Sequence, residues 1–452
     1  MYILLVMMLC PRRDMQEYWS NNQIYTNIEV KNTMQRDQFF QIYRRVMYGV
    51  DGQINEEFFA ADDLIKNLDN KKKAGQKYTE EERLLKIQAY QERYNKEIQR
   101  SKHYLNYIEE RFAGVYEQMV KSVEKPFFAL DETLVPWNGW VPMKQYLPDK
   151  PHSYGLLARV LVTGRFHYVV SFEMYFGSKN DVSNSVKDLV TRMANKVHMD
   201  FKTRPCLVVD NYYTTIDSIT SAHDIGWDII GTIRPNRCQG KSTKKMKLEH
   251  TKITKLDAKF DLYLYEKQVK KNKMLPLVDS RHVRNKTRLI ALVSRYLERV
   301  RQLYVEYYCG VDKIDALLSY IRFPHKIQNW TLTIFIYGLQ MGILNAFALY
   351  KIQTTEPQSI RPFVEGIAAA YKKRFEARKS TQPQEQLKKQ IFKTHSHVPI
   401  QAGGLCQENY KRYRACNNST RNQCSCGFMC CKACYLQFLV LETIESVAKR
   451  SE

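Results

Sequence analysis

Three aspartates stand where their carboxylates could act together on one ligand. Asp131 and Asp210 each follow a short apolar run, and Asp312 lies in a Gly-Val-Asp-Lys-Ile-Asp segment that ends at Asp315. An apolar run before a turn is typical of a buried strand, and an acid at its end lies at the rim of a sheet. Carboxylate oxygens are the ligands that Mg²⁺ and Mn²⁺ prefer. Three such acids, two of them after strand-like runs, indicate a divalent-metal site for phosphoryl transfer, formed by Asp131, Asp210 and Asp312, with Asp315 one helical turn further on.

Seven of the eleven cysteines form a second group with metal-binding chemistry. A structural zinc ion takes four Cys or His ligands, and we predict a zinc module over residues 395–438 that holds two ions. Disulfides are the alternative, but the apolar run at the start precedes its arginines, which is the wrong order for a secretory signal. The pairing of ligands stays open. The residues concerned are Cys406, Cys416, Cys424, Cys426, Cys430, Cys431 and Cys434, with His395 and His397 upstream.

The segment 126–237 contains the elements that must position the first two acids. Residues 156–162 and 165–176 predict two strands joined by a tight turn. Residues 182–201 predict a helical crossover to the strand before Asp210, and another apolar strand follows. Strands separated by a crossover helix indicate a mixed α/β sheet.

Helical patterns lie on both sides of this segment. Residues 1–125 are mostly helical, and Thr79 with Glu82 forms a capping box at the start of a long amphipathic helix. Residues 303–353 carry the third acid and predict helices that pack against the sheet. Residues 354–394 read as a helical segment that ends in a polar linker.

Residues 238–302, between the second and third acids, are basic and predict a loop-rich insertion. Any single lysine there is best explained as part of a solvated charged face. The lysines are Lys241, Lys244, Lys245, Lys247, Lys270, Lys271 and Lys273.

Charge indicates the class of partner. The 452-residue chain has 70 Lys and Arg against 47 Asp and Glu, a formal net charge of +23. Such an excess favours a polyanion as the partner, because Lys and Arg displace counterions from phosphates.

Residues 327–350 are long and apolar enough to span a bilayer. Their Asn and Gln side chains are costly in lipid, so we expect a buried core helix and no membrane partner.

The flanks of the three acids resemble motifs of the piggyBac family of cut-and-paste DNA transposases. The first family motif combines Asp-Glu with a later aromatic-x-Gly, Tyr-x-Pro-x-Lys-Pro and Gly. The second is Asp-Asn, two aromatics and Thr or Ser, and the third is Gly-Val-Asp-x-x-Asp. The matching segments follow in order along nearly the whole chain: Asp14–Ser20, Met34–Phe40, Asp131-Glu132, Trp137–Gly139, Tyr146–Pro151, Gly155, Asp210–Thr214, Gly231–Arg237, Gly310–Asp315, Asn329-Trp330 and Asn345–Phe347.

The resemblance implies a ribonuclease-H-like catalytic core made of residues 126–237 and 303–353, interrupted by the insertion 238–302. A helical dimerisation and DNA-binding region, 1–125, would precede it, and a zinc module at 395–438 would follow. The implied protein is a nuclear homodimer that binds the terminal repeats of an element as double-stranded DNA. It would cleave and join strands at TTAA sites, with Mg²⁺ or Mn²⁺ held by the three aspartates.

Two other functions share the charge and the cysteines. One is a domesticated DNA-binding protein without catalysis, and the other is a zinc-bearing chromatin adaptor in which the α/β region is only a scaffold. The presence of all the acids favours the enzyme.

Overall fold

The structure of the chain, a computed structural model, divides into two compact units, residues 1–368 and 369–452. The predicted domain boundaries inside the first unit stay predictions. The residues that the structure describes are 1–12, 14–22, 27–40, 42, 52–75, 77–123, 125–148, 150, 152–177, 183, 185–197, 201–238, 251–256, 262–270, 273–281, 293–323, 329–381, 398–405 and 419–423.

The described residues form ten α-helices and eleven strands. The helices are α1 Tyr2–Leu9, α2 Ile28–Thr33, α3 Gly52–Lys73, α4 Glu80–Val115, α5 Val186–Ala194, α6 Ile216–Asp224, α7 Val293–Tyr307, α8 Gly310–Leu318, α9 Trp330–Gln353 and α10 Ile360–Thr381. The strands are β1 Phe127–Pro136, β2 Gln145–Tyr146, β3 Tyr154–Thr163, β4 Val169–Met174, β5 Cys206–Val209, β6 Asp228–Thr232, β7 Thr251–Lys255, β8 Tyr263–Lys270, β9 Lys273–Asp279, β10 Val398–Leu405 and β11 Ser419–Gln423.

One mixed sheet organises the first unit, which confirms the predicted mixed α/β architecture. Its strand order is β2-β3-β1-β5-β6-β9-β8-β7. The strand β4 also pairs with β3, along residues 158–162, while β2 pairs with residues 154–155 of β3. β1 is antiparallel to β3 and parallel to β5, and β5 is parallel to β6. The short strand β5 is fully buried, as expected for a central strand covered on both faces.

The strands β7, β8 and β9 extend this sheet, whereas the sequence predicted a loop-rich segment. β9 pairs antiparallel with β6, and β8 and β7 follow. Lysines interrupt the apolar pattern of these strands and so conceal it in the sequence. Among the side chains that the structure describes here, Leu264, Leu277 and Val278 are buried. Lys241, Lys244, Lys245, Lys247 and Lys271 lie outside the described residues.

Two long helices form the layer that backs the sheet. α4 begins with the predicted capping box, in which Thr79 and Glu82 exchange side-chain-to-backbone hydrogen bonds. α9 is long and apolar enough to cross a membrane by length and composition, and most of its apolar window is buried within the protein. The two helices are joined where Tyr104 donates from its hydroxyl to the carbonyl oxygen of Phe335. This packing is that of the predicted core helix.

In the second unit, the described strands β10 and β11 pair antiparallel, with Val398 opposite Gln423. All seven cysteines of the predicted zinc module, and both upstream histidines, lie outside the described residues.

Candidate active site

Alternate residues of β1 face the helices α7 and α8. Phe127 stacks on Tyr307 of α7, with ring centroids 4.8 Å apart and planes 8° from parallel. Ala129 lies directly against Gly310, the first residue of α8. Since side chains alternate along a strand, Asp131 points toward the same two helices.

The neighbouring strand places Asp210 beside Asp131. β5 is parallel to β1 with Leu130 opposite Val209, so the residues that follow are neighbours in register. Val208, two positions before Asp210, packs with the aromatic residues of α7. Both acids therefore face α7, and the fold brings these two predicted ligands together.

The prediction that Asp131 ends a strand is wrong. β1 continues to Pro136, because its second half pairs with β3, where Pro136 lies opposite Gly155. Asp131 is nevertheless at a rim, since the parallel strand on its other side stops at Val209. Asp210 follows its strand directly, as predicted.

The two adjacent carboxylates repel each other. Burial raises the pKa of Asp131 to about 8, and the carboxylates of Glu132 and Asp210 add to this rise. Tyr304 of α7 is close to the same pair: burial raises the pKa of its hydroxyl, and the charges of Asp210 and Asp131 act in the same direction. The Tyr304 hydroxyl lies 3.4 Å from the hydroxyl of Thr232. A positive ion would relieve this repulsion.

The third and fourth acids lie on the first two turns of α8, around one lysine. The ammonium of Lys150 is 3.9 Å from Asp312 and 3.7 Å from Asp315, and it donates to the carbonyl oxygen of Glu132 at 2.8 Å. Thr133 of β1 donates from its hydroxyl to Asp315. Burial raises the pKa of Asp315, while Thr133 and Lys150 oppose the rise. Asp315 is thus held from two sides, next to Asp312.

The donor set fits a hard divalent ion in its chemistry, since it consists of carboxylate oxygens. Across the described residues, no three His, Cys, Asp or Glu side chains cluster tightly enough to hold a metal ion as they stand. Asp312 is 59% exposed, so its side chain has room to turn. For one ion to be bound by all three acids, the Asp312 carboxylate would have to turn away from the Lys150 ammonium and toward Asp131 and Asp210.

Comparison with known proteins identifies the family. A family model described as Transposase IS4 matches residues 1–347. The chain belongs to this transposase family. The resemblance to piggyBac proteins drawn from the acid motifs is thereby confirmed, because curated relatives and a solved structure carry that name.

Two human proteins are among the relatives of this transposase-family chain. PiggyBac transposable element-derived protein 3 is 20% identical over 276 residues, 56% of the chain and 45% of the relative. The Chimeric ERCC6-PGBD3 protein has the same identity over the same length and is covered to 25%. The match thus spans less than half of each relative.

A solved structure shows the same fold. It is a cryo-EM structure of a piggyBac transposase synaptic complex with hairpin DNA. The TM-score is 0.56 at 15% sequence identity, and the match covers 96% of this chain and 86% of the other. At this identity the likeness concerns the fold, and the chemistry of the transposase-family chain has to be argued from its own residues.

The turn after Asp210 is fixed by hydrogen bonds. The Asp210 carboxylate accepts from the backbone N–H groups of Tyr212 and Tyr213, at 2.8 and 3.3 Å. Thr214 donates from its hydroxyl to the Asp210 carbonyl oxygen at 2.6 Å. Arg237, beyond β6, donates to the carbonyl oxygens of Tyr212 and Thr214, at 2.9 and 3.2 Å. The Asp-Asn-Tyr-Tyr-Thr motif therefore folds as a capped turn that orients its own acid.

Sequence reasoning missed three residues that shape the site. Tyr304 lies among several tyrosines of α7 that the sequence does not distinguish from ordinary core residues. Thr133 and Lys150 stand inside or beside a recognised motif, but nothing in the sequence linked them to Asp315. Lys150 had the clearer signal, because a lysine between two prolines in a motif next to acids is a natural counter-charge.

Proposed function

We propose that the chain is a piggyBac-type transposase, or a protein derived from one, that cleaves and transfers DNA strands at TTAA sites by metal-dependent phosphoryl transfer. One observation carries the proposal. Asp131 on β1 and Asp210, which directly follows the parallel strand β5, stand one position beyond the Leu130–Val209 pair, and Asp312 lies in the first turn of α8, which packs on β1. The five strands β4-β3-β1-β5-β6 would be the ribonuclease-H-like core.

In this proposal Asp131, Asp210 and Asp312 would hold Mg²⁺ or Mn²⁺. Such ions supply activation of the attacking oxygen and stabilisation of the leaving oxygen. Among the chain's own residues, Thr133 and Lys150 fix the Asp315 carboxylate, and the capped turn fixes Asp210. Tyr304 shields the acid pair from solvent, because it is almost fully buried beside them.

Double-stranded DNA is the proposed substrate, since the net charge of +23 provides many phosphate contacts. The solved relative is a complex with hairpin DNA. Further parts of the proposal rest on the family alone: recognition of terminal repeats, a homodimer, a nuclear location and a zinc module that helps recognise element ends.

The test is strand cleavage of duplexes that carry candidate element ends next to TTAA, with and without Mg²⁺. We expect Asp131→Asn, Asp210→Asn and Asp312→Asn each to lower cleavage by at least about 100-fold and to leave DNA binding largely intact. Asp224→Asn is the matched control, because Asp224 is an exposed acid at the end of α6. Normal cleavage by any of the first three variants would remove that acid from the site.

A second candidate is a DNA-binding protein without catalysis. The observation that favours it is the position of Lys150, whose ammonium is close to both Asp312 and Asp315. A lysine there neutralises part of the charge that would attract a metal. Salt-sensitive DNA binding by the wild-type protein, with no cleavage in Mg²⁺ or Mn²⁺, would establish this alternative.

A further inference from the structure

The loop between β2 and β3 carries the lysine that stands among the acids. This loop is closed at its base, because the backbone N–H of Leu147 donates to the carbonyl oxygen of Ser153 at 2.8 Å. Within it, the N–H of Lys150 donates to the carbonyl oxygen of Leu147 at 3.3 Å. The backbone of Lys150 is therefore held in place, while its flexible four-carbon stem leaves the ammonium free to turn.

The Lys150 ammonium joins β1 to α8 by contacts of two kinds. Its 2.8 Å contact with the carbonyl oxygen of Glu132 is a hydrogen bond to the strand. Its distances to the carboxylates of Asp312 and Asp315, 3.9 and 3.7 Å, are too long for hydrogen bonds, so these contacts act through charge. The lysine is thus anchored on the strand and attracts both acids of the helix toward it.

The four acids of the site are compensated unequally. Lys150 stands beside Asp312 and Asp315, whereas the charge of Asp210 acts unfavourably on that of Asp131. A divalent ion that used Asp312 as a ligand would repel the ammonium, so the two cations would compete for this carboxylate. The side chains of Lys150 and Asp312 are 24% and 59% exposed, so water can solvate both when they separate.

We propose that Lys150 is a resident counter-ion of the site. It holds Asp312 and Asp315 in position in the metal-free protein, and it lowers the affinity for a divalent ion by competing for Asp312. The inference rests on the proposed function and adds a positioning residue to its metal site.

The sign of one binding measurement separates this role from a purely structural one. Lys150→Gln removes the charge but keeps an N–H group that can donate to the carbonyl oxygen of Glu132. If Lys150 competes with the metal, the variant binds the metal more tightly than the wild type does. If Lys150 only holds the acids in place, its loss loosens them and the variant binds the metal more weakly.

The experiment measures the binding of Mn²⁺ alone to the full chain, without DNA, from the electron paramagnetic resonance signal of the free ion. We expect Lys150→Gln to lower the Kd roughly tenfold, because charges about 4 Å apart interact even where water screens them. Lys150→Arg keeps the charge, so its Kd should stay closer to that of the wild type.

Lys144→Gln is the matched control for the loss of one positive charge nearby. The Lys144 ammonium donates to the carbonyl oxygen of Gly139 at 2.8 Å. Its replacement should therefore leave the Kd for Mn²⁺ almost unchanged. Chemical denaturation adds a second measurement: Mn²⁺ should stabilise Lys150→Gln more than it stabilises the wild type, since the more tightly bound ligand stabilises more.

Equal or weaker Mn²⁺ binding by Lys150→Gln, together with a loss of binding in Asp210→Asn, would overturn the counter-ion role and leave the metal site in place. An equal gain in affinity in Lys144→Gln would also overturn it, because the effect would then belong to the net charge. A Mn²⁺ affinity that neither Asp131→Asn nor Asp210→Asn lowers would overturn both this inference and the metal site of the proposed function.

Discussion

Gly310 decides how closely α8 can approach the sheet, and replacing it tests whether that approach positions the acids. A Cβ atom at Gly310 would lie 2.8 Å from Cγ2 of Val162 and 2.9 Å from Cβ of Ala129. Both neighbours belong to buried, paired strands, so they have little freedom to move. In Gly310→Ala, the start of α8 must therefore move away from β1 and β3.

The size of the effect follows from these distances. An ordinary contact begins at 3.4 Å, so α8 must shift by about 0.6 Å. Overpacking of this kind costs about 1–3 kcal/mol, and the better helix propensity of Ala offsets at most about 1 kcal/mol. Asp312 is two residues from the clash. Since a misplacement of about 1 Å can cost about 100-fold in rate, we expect cleavage to fall by about tenfold or more.

The assay pairs chemical denaturation with DNA cleavage. Gly342→Ala is the control, because Gly342 is also helical but a Cβ atom there has nothing within 4 Å. We expect this control to be as stable as the wild type or up to about 1 kcal/mol more stable. Adding Val162→Ala to Gly310→Ala should recover part of the cleavage, because it removes the closer contact. Two glycine variants that match in stability and in cleavage would refute the reasoning.

Three further predictions concern the rest of the chain. DNA affinity should fall steeply with salt, with a log–log slope of roughly −5 for six phosphate contacts, and a flat plot would contradict it. Purified protein should contain zinc bound by residues 395–438, since metal ligation supplies the folding free energy of small modules; elemental analysis without zinc and thiols in disulfides would count against it. Burial, with the charges of Lys313 and Lys351, lowers the pKa of His167 to about 4. Between pH 6.5 and 4 the unfolded chain therefore binds more protons than the folded one, so the free energy of unfolding falls as the pH drops through this window. This group accounts for up to about 3 kcal/mol of the fall. In His167→Asn, chemical denaturation at pH 7 and at pH 4 should show a difference that is smaller by that amount.

Local patterns predicted the elements that carry the acids, because those elements are apolar and bounded by turns. The strand before Asp210 and the capping box at Thr79 both occur as predicted. The middle of β1 was harder to predict as part of a strand, since Asp131, Glu132 and Thr133 interrupt its apolar pattern. Only pairing with β3 carries the strand through them, and pairing is a property of two segments.

The remaining parts of the site depend on contacts between distant segments. Tyr304 reaches the acid pair because α7 crosses β1 and β5, and Lys150 reaches Asp315 across the gap between a loop and α8. No periodic pattern in the sequence predicts either contact. The strands β7, β8 and β9 illustrate the same limit: β9 pairs with β6, β8 with β9 and β7 with β8, and this pairing decides their structure, whereas lysines interrupt their apolar pattern in the sequence.

The polar residues of α9 show how composition and position combine to hold the acids in place. The buried side-chain amide of Asn345 binds the backbone of Val169, the first residue of β4. It accepts from the N–H of Val169 at 2.7 Å and donates to the Val169 carbonyl oxygen at 2.8 Å. Gln340 donates at 2.7 Å to the carbonyl oxygen of Ile321, in the turn that ends α8. These residues distinguished a core helix from a membrane span in the sequence. In the fold the same two amides attach α9 to the sheet and to the helix of Asp312, so the residues that are costly in lipid join the elements that position the site.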